Sequence, residues 1–382
     1  MNVPYSYLDE QFAQIDDYLE DVRKLVQSGD FTLGKPVTEF EERFAELCNL
    51  PHAIGVGSGT DALILSLKII GVGPGDEVIT TPNTFISTVG AIVMVGAKPV
   101  FVDNNDEYTI DVDKIEQAIT QKTKALLPVH LTGCPADMPR IMAIAKKHKL
   151  LVVEDAAQAI LAKIDGKHVG FWGETACFSL HPLKNLNVWG DGGVIVTRCA
   201  ELDRKLKLFR NHGMTTRDEI EMFAHNSRLD SLQAVIGNRL INEVEDITQK
   251  RIANARQYDE AFKDLKESIT VPKRRPNVQQ VYHTYVLRVK DRDVLLEHLI
   301  KRGIKAKVHY PIPVHLQKAA AYLGYKKGDF PVCEADAKRI LSLPVHQYLS
   351  PEQMAYVIDA VRDFYRKGAP GSAKEDAFYS RR

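Results

Sequence analysis

The residues with the clearest chemical potential are an acidic pair and a lysine further along the chain. Glu154 and Asp155 end the hydrophobic run LLVVED (150–155), which predicts a buried strand. Lys184 lies in SLHPLKNLNVWGDGG (179–193), a loop between two strands in which leucine and tryptophan flank the lysine. Ligands of open α/β sheets bind at the carboxyl ends of strands, and a lysine in partly apolar surroundings can lose its proton and become a nucleophile. Taken alone, the acidic pair also fits an N-cap of the following helix, and the lysine also fits a solvated surface charge.

A glycine-rich turn at 57–62 is a third chemical feature. GSGTDA follows a predicted strand and opens a predicted helix, where free backbone amides and the helix dipole suit a phosphate. The same residues, from Gly57 to Ala62, fit the relaxed dinucleotide pattern G-x-G-x-x-A, so a nicotinamide-dependent sugar oxidoreductase is an alternative. That alternative needs an acid at the end of the next strand to bind the ribose, and TTPN (80–83) has none. A plain strand-to-helix turn explains the glycines equally well.

Together, the three features match the needs of pyridoxal phosphate. A helix N-terminus would bind the phosphate, a carboxylate would keep the pyridine nitrogen protonated, and a lysine would form a Schiff base. An aromatic side chain should cover the ring, and Phe85 in PNTFIST, just past a strand end, is the candidate. A phenylalanine in the core is an equal interpretation of that residue.

Hydrophobic periodicity predicts the frame that positions these residues. Short apolar runs predict six buried strands at 53–56, 77–81, 99–103, 124–130, 150–155 and 193–197. Amphipathic stretches, such as 60–70 and 138–148, predict helices between several of the strands. Uninterrupted apolar strands that alternate with helices indicate a mostly parallel sheet covered on both faces, so we expect a doubly wound α/β fold.

A change of pattern predicts a second, smaller domain. Residues 1–264 are expected to form the large cofactor-binding domain, including an N-terminal arm and a long helical region at about 229–264. Residues 265–367 are expected to form a small C-terminal α+β domain. Residues 368–382 lack apolar periodicity and predict a mobile tail.

The composition excludes several classes of protein. The 382 residues include 50 Lys plus Arg and 50 Asp plus Glu, so no overall basic field argues for a nucleic-acid partner. The five cysteines are widely spaced without a Cys-x-x-Cys pair, which fits a reducing, cytoplasmic location. The twelve histidines form no helical ligand pair, so no metal is expected. The polar N-terminus predicts no signal peptide, and no apolar stretch is long enough to predict a membrane span.

Six motifs jointly resemble one known family: SGTDAL, PNTF, EDAAQA, SLHPLKN, GDGG and NSRLDSLQA. This is the DegT/DnrJ/EryC1/StrS family of sugar aminotransferases, a branch of the fold-type I pyridoxal-phosphate enzymes. The resemblance extends from 28–45 to 309–317, nearly the whole chain. It implies a fold-type I architecture and a homodimer whose subunits share their active sites.

The resemblance also implies a role for each matching residue. Lys184 would form the internal aldimine with pyridoxal 5′-phosphate, and Asp155 would pair with the pyridine nitrogen. Gln158 would contact the ring hydroxyl, and Phe85 would stack on the ring. The phosphate would be bound by a further set of residues: Thr60, the backbone of Asp61, Ser179 and the partner subunit's Asn226.

Transfer of an amino group from L-glutamate to a nucleotide-linked keto-sugar, with ping-pong kinetics, is the activity that the resemblance implies. Relatives that replace the lysine with histidine are sugar dehydratases, so Lys184 favours amine transfer. The sequence KNL followed by GDGG resembles branches that act on 3-keto sugars, whereas His181-Pro182 resembles branches that act on 4-keto sugars. We favour the 3-keto hexose.

Further residues are expected to line the sugar side, besides His181: His309, Tyr310 and His315 in the proline-rich loop HYPIPVH. An ordinary connecting loop explains these three nearly as well. Two other functions stay open from the sequence. One is a cyclitol aminotransferase of the same family, and the other is a regulatory or structural protein that keeps the fold without turnover.

Overall fold

The computed structural model describes residues 1–366, which form a large seven-stranded sheet, two small sheets and the surrounding helices. The strands are β1 (His52–Val56), β2 (Glu77–Thr80), β3 (Lys98–Phe101), β4 (Thr123–Leu126), β5 (Leu151–Asp155), β6 (Lys163–Ile164), β7 (Lys167–His168), β8 (Thr175–Ser179), β9 (Gly193–Thr197), β10 (Ile269–Thr270), β11 (Val278–Gln279), β12 (Tyr285–Val289) and β13 (Ile340–Leu343).

The α-helices of the described residues cover the sheets. They are α1 (Leu8–Gln11), α2 (Ile15–Ser28), α3 (Lys35–Leu47), α4 (Gly59–Ile69), α5 (Ile86–Met94), α6 (Val112–Ala118), α7 (Met138–His148), α8 (Ala200–Phe209), α9 (Ser231–Leu240), α10 (Val244–Phe262), α11 (Arg292–Lys301), α12 (Pro331–Arg339) and α13 (Pro351–Arg366). Across residues 1–366, none of these helices is long and apolar enough to cross a membrane.

The seven-stranded sheet has the order β1-β9-β8-β5-β4-β2-β3, and only β9 runs antiparallel to its neighbours. Side chains alternate along each strand, so Ala53 packs in one hydrophobic cluster and Ile54 in another. The first cluster includes residues of α3 and α9, and the second includes residues of α4, α5 and α8. Helices therefore cover both faces, and the predicted α/β class is confirmed.

A separate hydrophobic cluster surrounds the three-stranded antiparallel sheet β10-β12-β13. Residues of α11 and α13 pack in this cluster, together with Val3 and residues of α10 such as Tyr258. The N-terminal segment and α10 thus tie the large sheet to the small one. The division at residue 264 stays a prediction, and the predicted tail at 368–382 lies outside the described residues.

Two of the differences between the sequence-predicted elements and the structure concern the large sheet and the long helical region. The seventh strand of the large sheet, β8, is not among the six predicted, because in TACFS only the three residues Ala-Cys-Phe form an apolar run, between polar ends. The predicted helical region 229–264 is two helices, α9 and α10, separated at residues 241–243. There the side chain of Asn242 donates to the carbonyl of Arg239 (Nδ2–O 3.1 Å), which competes with continuation of the helix.

Candidate active site

The carboxyl ends of parallel strands bring the predicted chemical residues to one edge of the large sheet. β5 ends at Asp155 and β8 ends at Ser179, on adjacent strands. The loop after β8 carries Lys184, and a small cavity is lined by Gln158, Ser179 and Lys184, among others. Asp155, Ser179 and Lys184 therefore lie at the edge of the sheet where open α/β folds bind ligands.

The Lys184 ammonium has a lowered pKa. The side chain is half-buried, and this burial lowers the pKa of the Lys184 ammonium to about 8, while the negative charge of Asp155 acts in the opposite direction. Because the pKa lies near physiological pH, a substantial fraction of the amine is neutral there. A neutral amine is both a nucleophile and a base.

Asp155 is buried and held by two hydrogen bonds. Thr88 Oγ1 donates to its Oδ2 (2.7 Å) and the amide of Ala157 donates to its Oδ1 (3.2 Å). Burial raises the pKa of Asp155, and these two bonds and the positive charge of Lys184 counteract that rise. The carboxylate thus has donors on both oxygens and faces a cationic partner, which is what a group that stabilises a protonated ring nitrogen requires.

The neighbouring Glu154 has a structural role on the opposite side of the strand. Its carboxylate accepts hydrogen bonds from the amides of Gly170, Trp172 and Gly173 (2.8–3.0 Å). It also faces His130, whose Nδ1 accepts from the amide of Ala136 (3.1 Å), so His130 Nε2 carries the hydrogen and donates to Glu154 (3.0 Å). Of the acidic pair, only Asp155 faces Lys184.

The N-terminus of α4 forms a narrow cradle beside Ser179. Ser58 caps the helix by accepting a hydrogen bond from the amide of Asp61 (Oγ–N 3.0 Å). A Cβ atom on Gly59 would lie 2.8 Å from Ser179 Cβ, and one on Gly193 would lie 2.4 Å from the carbonyl oxygen of Ser58. Glycine at both positions therefore permits the turn, the strand end and the helix to approach closely.

The structure gives the predicted phosphate-binding groups different local partners. The hydroxyl of Thr60 donates to Ser87 Oγ (2.9 Å), and Ser179 Oγ accepts from the amide of His181 (3.3 Å). The amide of Asp61 is already used by the cap of α4, so its role in binding an anion stays a prediction. The first amides of a helix have no acceptor within the helix, which suits the cradle to a phosphate.

The predicted ring contacts lie together at the mouth of the site. Phe85 immediately precedes α5 and is 53% exposed, and its ring centroid lies 6.0 Å from that of Tyr310. Gln158 Oε1 accepts from the amide of Thr132 (2.7 Å), and its Nε2 lies 3.5 Å from Tyr310 Oη. Phe85 is thus not a core residue, and its exposed ring is free to cover a ligand.

The proline-rich loop is anchored beside this mouth by the amide of Val314, which donates to the carbonyl of Pro82 (3.0 Å). His309 Nδ1 lies 2.9 Å from Ser342 Oγ, and burial, Lys307 and Lys184 lower its pKa to about 4. Burial raises the pKa of Tyr310 to about 12. Both side chains are therefore neutral hydrogen-bonding groups at neutral pH.

Two of the predicted substrate residues have opposite environments. His181 is exposed, and its carbonyl accepts from the amide of Lys184 (2.8 Å), so it lies on the lysine loop. His315 is buried: its Nε2 lies 3.1 Å from Glu334 Oε1 and its ring packs on Phe330 (centroids 4.7 Å apart). That pair joins His315 to the first turn of α12, and the predicted contact of His315 with a sugar stays a prediction.

Asn226 lies on an exposed segment between α8 and α9, paired with Asn211. The next residue, Ser227, accepts a hydrogen bond from the amide of Gly57 (3.1 Å), which fixes this segment against the glycine-rich turn. Its predicted contact with a partner subunit stays a prediction.

Sequence reasoning missed Thr88 and His283. Thr88 lies one helical turn after Thr84 in the PNTFIST segment, but its contact with Asp155 depends on the order of the strands. His283 is half-buried, with Nδ1 lacking a hydrogen-bond partner, and burial together with Lys184 and Arg251 keeps its pKa well below the usual range. No local pattern in the sequence indicates that the segment just before β12 brings a histidine close enough to influence the lysine.

The dinucleotide interpretation of the glycine-rich turn lacks its structural context. The strand before the turn, β1, is at the edge of the sheet and pairs only with the antiparallel β9, whereas the next strand in sequence, β2, lies at the opposite side of the sheet. A dinucleotide fingerprint opens a unit of adjacent parallel strands. Within the described part of the chain, no three metal-ligating side chains come together.

Comparison with known proteins identifies the class that this fold and site define. The chain belongs to the DegT/DnrJ/EryC1/StrS aminotransferase family, whose model matches residues 13–362. The predicted family is therefore confirmed, and with it the fold-type I architecture.

Three similar proteins show how close this relationship is. A protein of Geobacillus stearothermophilus named pleiotropic regulatory protein is 43% identical over 96% of this chain and 99% of its own. A UDP-N-acetyl-3-dehydro-alpha-D-glucosamine 3-aminotransferase of Acidithiobacillus ferrooxidans is 41% identical over 94% of this chain and 97% of its own. The crystal structure of DesV of S. venezuelae, in complex with a ketimine intermediate, is 39% identical with a TM-score of 0.92, covering 95% of this chain and 98% of that one.

Proposed function

We propose that this protein transfers the amino group of L-glutamate to a nucleotide-linked 3-keto hexose. The observation that carries the proposal is Lys184, an amine with a pKa of about 8 that faces the buried Asp155 at the ligand-binding edge of the sheet. The family supplies the reaction class, amine transfer. Identity above 40% with a 3-aminotransferase of a nucleotide-linked 3-keto sugar supports the acceptor.

The cofactor is pyridoxal 5′-phosphate, and the residues present fit it. Lys184 would hold it covalently and Asp155 would stabilise the protonated ring nitrogen. Gln158 would approach the ring hydroxyl, and Phe85 would cover one face. The cradle at α4 would bind the phosphate through a third group of residues: Thr60, Asp61 and Ser179. When bound, the cofactor supplies an electron-withdrawing ring that stabilises the charge left when an amino acid loses its α-proton.

Lys184 also has the properties of the proton carrier. Once displaced by the amino group of the donor, its neutral Nζ can accept the proton from the α-carbon of glutamate. In the second half-reaction the same Nζ can deliver a proton to the sugar carbon that receives the amino group. A base with a pKa near the working pH is suited to both directions.

The acceptor side would be formed by the proline-rich loop and the lysine loop. Tyr310 and His309, both neutral, provide hydrogen-bonding groups for a sugar near the exposed ring of Phe85. His181 would contact the substrate from the lysine loop. His315 would act indirectly, by holding the loop through Glu334. A 4-keto hexose and a cyclitol ketone are the competing acceptors.

A homodimer with shared active sites completes the proposal. The segment that carries Asn226 is exposed, and Phe223 beside it is 99% exposed, which suits a surface that a second copy covers. The partner subunit's Asn226 would then reach the phosphate. Five cysteines without a disulfide support a cytoplasmic location. We also retain the two-domain division at residue 264 as part of the proposal.

The experiment that tests the proposal is an absorption spectrum of the protein with pyridoxal phosphate, before and after L-glutamate. We expect a yellow protein whose band bleaches with glutamate and returns with the keto-sugar. A colourless protein that binds NAD instead would overturn the proposal in favour of the oxidoreductase. A yellow protein that ignores glutamate would overturn the donor assignment.

A regulatory function has one specific observation in its favour, the name of the Geobacillus relative. Lys184→Ala separates the two functions. Loss of amine transfer in this variant, with unchanged folding, supports catalysis. A variant that behaves as the parent in every functional assay would support regulation without turnover.

A further inference from the structure

The main chain of Lys184 is held by a residue from the far N-terminus. Residues 180–192 have no regular secondary structure, so the lysine carbonyl has no strand partner. Instead it accepts hydrogen bonds from Tyr7 Oη (3.1 Å) and Asn187 Nδ2 (2.8 Å). The same hydroxyl of Tyr7 lies 3.4 Å from the carbonyl of Leu183.

Tyr7 is itself fixed on both sides. It is 3% exposed, and its ring stacks on His346, with centroids 5.4 Å apart and an interplanar angle of 27°. The guanidinium of Arg251 lies 5.0 Å from the Tyr7 ring centroid. Burial raises the pKa of Tyr7, so the hydroxyl keeps its hydrogen and acts as a donor.

Asn187 is the end of a buried chain of amides. Gln11 Nε2 donates to Asn187 Oδ1 (2.8 Å), and Gln347 Nε2 donates to Gln11 Oε1 (3.3 Å). Arg251 Nε donates to Gln347 Oε1 (3.1 Å), and all four residues are at most 8% exposed. The chain links α1, the lysine loop, α10 and the segment after β13. Connected buried hydrogen bonds of this kind restrict the movement of the side chains that make them, although Arg251 Nη2 itself has no hydrogen-bond partner among the described residues.

We propose that Tyr7 is a positioning residue for Lys184, with Asn187 as its second support. The inference rests on the proposed function of Lys184. The lysine amine is at the end of a flexible stem, so its position depends on where the main chain of the loop is fixed. Sites on loops need supporting hydrogen bonds, and small misplacements of a reacting group strongly reduce rates.

Tyr7→Phe tests this role, because it removes the hydroxyl and leaves the buried ring. We expect kcat to fall about three- to ten-fold, which is the effect of losing one neutral hydrogen bond. KM for glutamate should stay within about two-fold of the parent value. The matched control is Tyr258→Phe: Tyr258 is fully buried and donates to the carbonyl of Pro344 (2.8 Å) in the small-sheet cluster. That control should lower the melting temperature without changing kcat.

The result that overturns the inference is a Tyr7→Phe protein whose kcat equals that of the parent while its melting temperature falls as in Tyr258→Phe. Asn187→Ala removes the other donor and provides a second variant, with the same expected drop in kcat.

Hydrogen exchange of the cofactor-free protein gives a readout that does not depend on activity. The amides of Lys184 and Val188 donate within the loop, to the carbonyls of His181 (2.8 Å) and Leu180 (2.9 Å). Tyr7→Phe should speed their exchange several-fold, and Tyr258→Phe should not. Unchanged exchange would overturn the inference. A parent protein that binds no pyridoxal phosphate would overturn the proposed function, while the exchange experiment would still decide the role of Tyr7.

Discussion

Replacing Thr88 by valine should weaken the site through Asp155 without touching a reacting atom. An ionised Asp155 only accepts hydrogen bonds, so the hydrogen of Thr88 Oγ1 is committed to Asp155 Oδ2 (2.7 Å). Thr84 Oγ1, 2.6 Å from Thr88 Oγ1, must then donate to Thr88. The two hydroxyls form a chain that stabilises the carboxylate against the cost of burial.

The magnitude follows from the kind of hydrogen bond that is lost. A bond to a charged group contributes about 1.5–3 kcal/mol, which corresponds to roughly 10- to 150-fold in an equilibrium or a rate. Thr88 provides the largest of the effects that oppose the raised pKa of Asp155. Thr88→Val should therefore raise that pKa further, so the deficit should grow as the pH falls and shrink as it rises.

The assay is kcat and cofactor affinity as a function of pH, with Thr248→Val as the matched control. Thr248 is equally buried, and its hydroxyl donates to the carbonyl of Val244 in α10 (2.8 Å), away from the site. The reasoning is refuted if Thr88→Val matches Thr248→Val, or if its deficit does not change with pH.

Three further variants test other parts of the site. Asp155→Asn removes the charge that raises the pKa of Lys184. The rate at which the cofactor-free protein reacts with pyridoxal phosphate, measured against pH, should therefore have its midpoint below pH 8. A midpoint equal to that of the parent would contradict the pairing of Asp155 with Lys184. Gly59→Ala places a Cβ 2.8 Å from Ser179 Cβ, which costs about 1–3 kcal/mol in packing. We therefore expect cofactor affinity, measured by equilibrium titration, to fall about ten-fold. An unchanged affinity would argue against a phosphate site at the N-terminus of α4. Phe85→Ala should change the free energy of unfolding by less than about 0.5 kcal/mol, because Phe85 is 53% exposed. The same variant should weaken cofactor binding about three- to ten-fold. A large loss of stability with unchanged cofactor binding would instead show that Phe85 has a structural role.

Much of the frame could be predicted because its signals are local. The apolar runs mark six strands of the large sheet, and β5 and β9 have the predicted ends to within a residue. The glycine-rich turn marks the start of α4, and the capping Ser58 is part of the same motif. Asp155 and Lys184 could also be selected from the sequence as candidate site residues. Asp155 ends a predicted strand, and Lys184 lies in a loop of unusual composition.

The remaining features depend on contacts between distant residues. Thr88 reaches Asp155 only because the sheet order places β5 near the start of α5, and strand order is not written in any local pattern. Tyr7 contacts Lys184 across almost half of the chain. His315 is a third example: its motif predicts a place on the sugar side, and only the fold shows that its side chain pairs with Glu334, nineteen residues later.

Transfer of labelled nitrogen tests the central claim most directly. The protein would be incubated with nitrogen-15-labelled L-glutamate and a UDP- or dTDP-linked 3-keto hexose, and the sugar analysed by mass spectrometry beside a Lys184→Ala control. The account predicts nitrogen-15 in a 3-amino sugar with the parent protein and none with the variant. Label that appears equally with Lys184→Ala, or no label in the sugar with the fully loaded parent protein, would contradict it.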